Sequence, residues 1–364
     1  MVARLAVIGT GLIGASVGLA AKRAGVERVS GFDPDADALA LATERGAVDE
    51  AGERLEDAVA DAELALVAAP VASLPVQVAA VVQASGERCT VTDVGSTKGP
   101  VCAAVTDPRF IGGHPVAGSE AHGPAHARAE LFDGATWFLT PAAATDPQRY
   151  RALHGFVASL GAVPVAVDPG AHDRLLALTS HLPHALANLL LNQAGGTRIE
   201  GHEPLAAAGG SLREMTRVAG ANPRIWVDIF LDNAPALRAA LGEHRRLVEQ
   251  LEAALEAGDA GFLARWIGEA AGNRRRLLAD AYPDPGHLQR LLVRVPDRPG
   301  VLAGITQALG AERINIEDFE LQHHSPERGG VLTLLVTGEE EAARAAALLE
   351  RQGYGVDVSP ALEE

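Results

Sequence analysis

Residues 5–14 read Leu5-Ala6-Val7-Ile8-Gly9-Thr10-Gly11-Leu12-Ile13-Gly14, an apolar run that enters three glycines spaced G-x-G-x-x-G. A strand that feeds such a turn and then opens a helix begins a dinucleotide-binding βαβ unit. The three glycines serve different ends: Gly9 makes the tight turn, Gly11 lets backbone approach a pyrophosphate, and Gly14 lets the helix lie close on the strand. The helix is legible downstream, where Leu12, Ile13, Val17, Leu19, Ala20 and Ala24 recur at helical spacing and Gly25 closes it. Asp33 ends the next apolar run, at the place of an acidic residue that accepts the ribose 2′-hydroxyl. Asp35 and Asp37 follow, with no Arg close behind, so a 2′-phosphate would be repelled. Gly9, Gly11, Leu12, Ile13, Gly14 and Asp33 are therefore expected to bind NAD rather than NADP.

The same alternation continues through the first half of the chain. Apolar runs at Leu5–Gly9, Val29–Asp33, Leu64–Ala69, Thr90–Val94, Phe110–Gly112, Thr136–Thr140 and Val163–Val167 are separated by helical patterns, which predicts an α/β fold on a Rossmann-type parallel sheet. From Ala171 to Ala281 long helix formers replace them, as in Asp173–Gln193 and Ala234–Glu256, and no clear strand is present. A Pro/Gly cluster at Tyr282-Pro283-Asp284-Pro285-Gly286 reads as a linker. Beyond it the order strand, helix, strand, strand, helix, strand predicts a ferredoxin-like βαββαβ module. Three domains are expected: 1–168 for the dinucleotide, an all-α domain over 169–282, and a βαββαβ domain over 287–364.

Composition narrows the function. The 364 residues are 48% hydrophobic and 21% charged, an ordinary globular balance that excludes a mainly disordered chain. With 47 acidic against 31 basic residues the net charge is -16, the wrong sign for nucleic acid or an anionic membrane surface. No apolar run reaches the roughly 20 residues of a spanning helix, and the first residues lack a signal-peptide pattern, so a cytoplasmic location is expected. Cys89 and Cys102 are too few for a disulfide framework and read as buried thiols.

Two further clusters carry chemistry. Asp93-Val94-Gly95-Ser96-Thr97-Lys98-Gly99 and Gly112-Gly113-His114-Pro115-Val116-Ala117-Gly118-Ser119-Glu120 each follow an expected strand, and carboxyl ends of strands face the ligand crevice. Ser96 and His114 are thus expected to meet over a nicotinamide, with His114 as a general base because an imidazole near its ordinary pKa of about 6.5 is mostly neutral at pH 7. Lys98 has two readings, a cation of the site or a solvent-facing lysine at a helix start. In the helical half, Ser180-His181-Leu182-Pro183-His184 and Arg213-Glu214-Met215-Thr216-Arg217 place His181 with His184, and Arg213 with Arg217, at spacings that share a helix face. A zinc site is not expected, since the histidines lack a third ligand at sensible spacing. The arginines suit a carboxylate through their bidentate fork.

Taken in order over residues 4 to 280, the G-x-G-x-x-G, Gly-Ser-Thr-Lys-Gly, Gly-His-Pro-Val-Ala-Gly-Ser-Glu, Ser-His-Leu-Pro-His and Thr-Arg-Val-Ala-x-x-Asn-Pro-x-x-Trp motifs resemble the prephenate dehydrogenases of tyrosine biosynthesis, which include arogenate dehydrogenases. The resemblance implies NAD-dependent oxidative decarboxylation of a cyclohexadienyl dicarboxylate, prephenate to 4-hydroxyphenylpyruvate. It implies His114 as base, Ser96 as the serine that orients it and the substrate hydroxyl, and His181, His184, Arg213, Arg217 and Ser119 as substrate-pocket residues. By the same resemblance Arg217 is the one expected to grip a carboxylate. Glu214 and Ser119 stand where relatives often have Asp and Thr, changes that keep the chemistry. The resemblance also makes 169–282 the substrate and dimerisation domain and 287–364 a regulatory one, and a homodimer is expected.

The last segment holds Asp297-Arg298-Pro299-Gly300 and Arg313-Ile314-Asn315-Ile316 and resembles an ACT-type amino-acid-binding module. That likeness implies Asp297, Pro299, Gly300 and Asn315 in an effector pocket, with L-tyrosine as the expected effector. Three other readings stay open at this point: an arogenate dehydrogenase, another Rossmann hydroxyacid dehydrogenase, and an amino-acid-sensing regulator. The hydroxyacid enzymes would need a lysine in the helical half, where none follows Lys98, and a regulator is disfavoured by the absence of a basic helix.

Overall fold

A computed structural model describes residues 2–117, 121–279, 287–325 and 329–361. It divides into two compact units, Met1–Arg245 and Arg246–Glu364. The linker expected at 282–286 lies outside the described residues.

The first unit is built on eight strands: β1 (Arg4–Ile8), β2 (Arg28–Phe32), β3 (Glu50–Ala51), β4 (Leu64–Val67), β5 (Thr90–Asp93), β6 (Phe110–Pro115), β7 (Thr136–Thr140) and β8 (Val163–Ala166). Their order is β3-β2-β1-β4-β5-β6-β7-β8. Leu5 and Val7 pack into one apolar layer with Ile111, Phe132 and Trp137, while Ala6 and Ile8 pack into the other with Leu74, Val78 and Val91. Both faces of the central strands are buried, which is why they read as continuous apolar runs rather than alternating ones.

The expected all-parallel sheet is corrected in one place, because β6 and β7 pair antiparallel, His114 opposite Phe138. A parallel pair needs a crossover, usually a helix. Between β6 and β7 the described chain holds only the short turns Pro124–His126 and Ala129–Phe132, whereas helix Pro147–Ser159 lets β7 and β8 pair parallel. Strand β3 was not expected from sequence; two residues show no period.

From Pro169 to Ala279 the regular elements are helical, with an isolated bridge between Ile199 and His202 as a strand-like exception. Asp168 caps the first helix, accepting from Ala171 N at 3.0 Å. The stretch expected as one helix is three pieces: Pro169–Leu176, a π turn over Ala177–His181, and Leu182–Gly196. Helices Gly210–Met215, Pro223–Asp232, Ala234–Ala257 and Ala260–Ala279 follow, the third running across the division between the units. No helix of the described residues is long and apolar enough to cross a membrane.

The second unit holds β9 (Leu288–Val295), helix Val301–Ala311, β10 (Asp318–Ser325), β11 (Gly329–Thr337), helix Glu339–Arg351 and β12 (Gly355–Pro360). The sheet order is β10-β11-β9-β12 with antiparallel neighbours, the expected βαββαβ arrangement. Leu291, Val293, Leu332 and Leu334 meet Ile305, Leu309, Ala345 and Leu349 beneath the helices.

Candidate active site

The carboxyl ends of β1, β4, β5 and β6 open on a cavity of about 910 Å³ within the first unit. One wall is the glycine loop Gly11–Gly14 with Ala68–Val71. A second holds Val94–Ser96 and His114–Ala117, and the third is helical, with Thr179, Ser180, His181, Arg224, Trp226 and Asp228.

The glycine loop fits a dinucleotide. Gly9 turns with φ +94°, and a Cβ there would sit 2.2 Å from the Ala68 carbonyl oxygen. A Cβ on Gly14 would sit 1.9 Å from the Gly9 carbonyl oxygen, so both positions exclude any larger residue. Above Gly11 the space is open, and helix Leu12–Arg23 begins there, turning its first unpaired N–H groups to an anion. Asp33, at the end of β2, accepts from Thr10 N at 2.6 Å and Thr10 Oγ1 at 3.1 Å, which ties the acidic residue to the loop.

His114 is 8% exposed and borders the cavity at the end of β6. Its Nδ1 lies 2.9 Å from His172 Nε2, and His172 Nδ1 lies 2.8 Å from Asp173 Oδ1. Asp173 also accepts Lys98 N at 2.8 Å and Gly99 N at 2.7 Å. Burial alone would raise the Asp173 carboxyl, but these donors outweigh it and hold its pKa below the usual value. An ionised Asp173 makes His172 Nδ1 a donor. With His172 neutral, its Nε2 accepts from His114 Nδ1–H and leaves His114 Nε2 unprotonated, the state a general base needs. Burial first, then the neighbouring His172, Lys98 and His181, which disfavour a second positive charge beside them, push the His114 pKa well below 6.5.

Lys98 corrects the solvent-facing reading: it is 0% exposed and paired with the equally buried Asp93. Asp93 Oδ1 accepts Gly113 N at 3.1 Å and Oδ2 accepts Gly95 N at 2.8 Å. The pair thereby joins the backbone beside His114 to the backbone beside Ser96, which lines the same cavity.

The helical wall orders its histidines around Trp226. The His184 ring stacks on Trp226 with centroids 3.5 Å apart, and His181 meets it edge-on at 6.1 Å. Burial lowers the His181 pKa to about 4 against the opposing pull of Asp173. Burial also lowers His184, with Arg217 adding to the shift.

Arg213 and Arg217 do not share a helix face as expected. The helix Gly210–Met215 stops because Thr216 leaves the helical region at φ -105°, ψ 9° and its hydroxyl donates to the Leu212 carbonyl at 2.7 Å, so Arg217 sits in the following turn. Both arginines are exposed, and the cation bordering the cavity is Arg224. Ser119 lies outside the described residues. His172, Asp173 and Asn233 were not singled out from sequence, and Arg224 stood only within the Asn222-Pro223-Arg224-Ile225-Trp226 stretch, with no role given to it. For His172 and Asp173 the signal was their adjacency ahead of the Ser-His-Leu-Pro-His motif.

In the second unit, Asp297, Pro299 and Gly300 form the exposed turn between β9 and its helix, where Gly300 takes φ +88°. Asn315 is exposed, with Nδ2 2.9 Å from Glu317 Oε1. The turn follows Val295, which is opposite Gly330, whereas Asn315 precedes Asp318, which is opposite Leu335. The four residues thus occupy opposite ends of one sheet and do not converge within a single copy.

Residues 17–166 match the profile for the prephenate dehydrogenase nucleotide-binding domain, 168–269 that for the prephenate dehydrogenase dimerization domain, and 289–353 that for the ACT domain. The prephenate dehydrogenase of Bacillus subtilis (strain 168) is 31% identical over 351 residues, covering 94% of this chain and 94% of that protein. A cyclohexadienyl dehydrogenase of Zymomonas mobilis is 33% identical, covering 76% of this chain and 96% of its own. The crystal structure of Aquifex aeolicus prephenate dehydrogenase in complex with hydroxyphenyl propionate and NAD+ superposes with a TM-score of 0.71 at 26% identity, over 75% of this chain and 98% of that one. With its glycine loop, strand-end histidine and helical wall in the order of those domains, and a relative aligned along nearly its whole length, the chain belongs to the prephenate dehydrogenase family and carries an ACT domain after its helical part.

Proposed function

We propose that this protein catalyses the NAD-dependent oxidative decarboxylation of prephenate to 4-hydroxyphenylpyruvate. The observation that carries the reading is His114: buried at a strand end, bordering the cavity across from the glycine loop, with Nδ1 engaged by His172 so that Nε2 is left to the cavity. NAD bound on the loop would supply the acceptor for the hydride from ring carbon C4. His114 Nε2 takes the proton of the 4-hydroxyl as its C–O bond becomes a carbonyl. The bond from the ring to its carboxylate then breaks, CO₂ leaves, and its electron pair completes the aromatic ring as the C4 carbonyl becomes a phenolate, which regains its proton to give the hydroxyl of 4-hydroxyphenylpyruvate. Ser96, on the same wall, is assigned to the substrate hydroxyl, and His181 offers Nε2–H to an oxygen of the substrate. A positioned base is worth about 10² to 10⁴ in rate, and holding the reactants in place contributes several kcal/mol more.

The substrate carries two carboxylates, and we assign Arg224 to one and Arg217 to the other, with Arg213 as a further cation for the substrate. Arg224 borders the cavity, and the charge of Arg217 reaches His184, which stacks on Trp226. Loss of CO₂ and reduction of NAD with prephenate, compared with arogenate under the same conditions, test the activity and the preference together. A protein that reduces NAD with neither substrate would overturn the reading.

The working form is a homodimer in the cytoplasm. Its support is the match to a dimerization domain together with Leu189 and Leu231, apolar helix residues 59% and 70% exposed in the single chain. The ACT domain is assigned to feedback by L-tyrosine. Since Asp297 and Asn315 lie at opposite ends of the sheet, the pocket is assigned to the join between two copies. Calorimetry with the full-length protein should detect tyrosine binding that Asn315→Ala abolishes; heat unchanged by that substitution would remove Asn315 from the pocket.

A further inference from the structure

Asp173, His172 and His114 stand in a hydrogen-bonded line from backbone at Lys98 and Gly99 to the cavity. His114 is poorly placed to keep a positive charge. It is buried, and the buried cation Lys98 and the ring of His181 act on it from the neighbouring elements. His172 is 0% exposed too, but it lies against a carboxylate. Around it are His114 from β6, the edge of Phe138 from β7 at 5.3 Å between ring centres, Asp173 on its own helix and His181 from the π turn. Lys98 is held near the same carboxylate through its backbone N–H while its ammonium pairs with Asp93.

We propose that the proton taken from the substrate does not stay on His114: as Nε2 receives it, Nδ1 passes its own proton to His172 Nε2, and the positive charge rests on His172 against Asp173. The substrate O–H bond and the His114 Nδ1–H bond break, and His114 Nε2–H and His172 Nε2–H form. One proton enters the pair and no other reactant is needed. The route reverses when loss of CO₂ leaves the C4 oxygen as a phenolate: His114 Nε2 returns its proton to that oxygen and His114 Nδ1 takes its own back from His172 Nε2. Asp173 and His172 act through His114, so they are positioning residues that also hold charge. The inference rests on the reading of His114 as the base.

Protonation of the resting pair at low pH reaches the same state, in which His114 Nε2 carries hydrogen and cannot act as base. His172→Gln separates holding from placing. A glutamine amide can still donate to Asp173 and accept from His114 Nδ1, but it takes no proton. The expected result is KM for prephenate and NAD within about threefold of wild type, kcat lower by about tenfold or more, and the acid limb of the kcat profile moved to lower pH, because His114 alone takes its proton later than the pair does. Wild-type kcat, or a lowered kcat with an unmoved acid limb, would overturn it. Nitrogen-15 NMR of the histidine rings in the full-length wild-type protein tests the same point without a variant. The first proton added on acidification should appear on His172, and its appearance on His114 would contradict the proposal. A His114→Asn enzyme with full activity would instead remove the base assignment beneath it, so the two failures are distinguishable.

Discussion

Asn233 Nδ2 lies 3.0 Å from His181 Nδ1, and the same amide nitrogen lies 2.8 Å from the carbonyl oxygen of Asp173. A carbonyl only accepts, so the atom between the two partners is the amide N–H₂ group and His181 Nδ1 is an acceptor. His181 is thereby fixed as the tautomer with hydrogen on Nε2, a neutral donor on the cavity wall.

Asn233→Leu keeps the volume and removes the donor from His181 Nδ1, while the Asp173 carbonyl keeps the Ala177 N–H. Leaving a buried acceptor unpaired costs about 1–3 kcal/mol, so the urea midpoint should fall with little change in slope. KM for prephenate should rise as the His181 ring loses its anchor. An unchanged midpoint would mean that water satisfies His181 Nδ1.

The same ring sets a pH dependence of stability. Folded, His181 stays neutral down to about 4, whereas the unfolded chain protonates it near the ordinary 6.5. Between those values the unfolded state binds more protons, so stability falls as pH falls through that window. His181→Gln should flatten the slope of unfolding free energy against pH between about 6.5 and 4; a slope identical to wild type would assign the dependence to other groups.

Asp33 should govern the choice of dinucleotide. Asp33→Ser with Pro34→Arg removes the hydroxyl acceptor and offers a cation to a 2′-phosphate, so the kcat/KM ratio should move toward NADP. Because Asp33 also holds Thr10, KM for NAD should rise as well. A ratio that stays with NAD would place the discrimination elsewhere.

Arg224→Ala and Arg217→Ala should each raise KM for prephenate, with kcat less affected, since a carboxylate contact made equally in ground and transition states is uniform binding. If only one of them does, that arginine holds the carboxylate whose loss matters and the other is a surface cation.

Much of this arrangement was legible because glycine spacing and apolar runs report backbone demands directly. Gly9, Gly14 and the run ending at Asp33 announce the loop before any side-chain contact is known. His172 stayed hidden for a geometric reason. It lies nine positions before His181, about 2.5 turns of α-helix and so opposite faces; the π turn over Ala177–His181 changes that phase. Lys98 was ambiguous because burial of a cation depends on a partner, and Asp93 becomes that partner only when β5 has paired in the sheet. The antiparallel β7 and the two-residue β3 have no signature at all, since pairing direction follows from what lies between strands. The breakdown of the Arg213–Arg217 face likewise depends on where Thr216 ends its helix.

The most direct measurement is the rate of NAD reduction at saturating prephenate by His114→Asn beside wild type. A kcat lower by about 10² or more is expected, with KM for prephenate little changed, because the proton acceptor alone is removed. A variant that keeps wild-type kcat would contradict the assignment of His114 as the base.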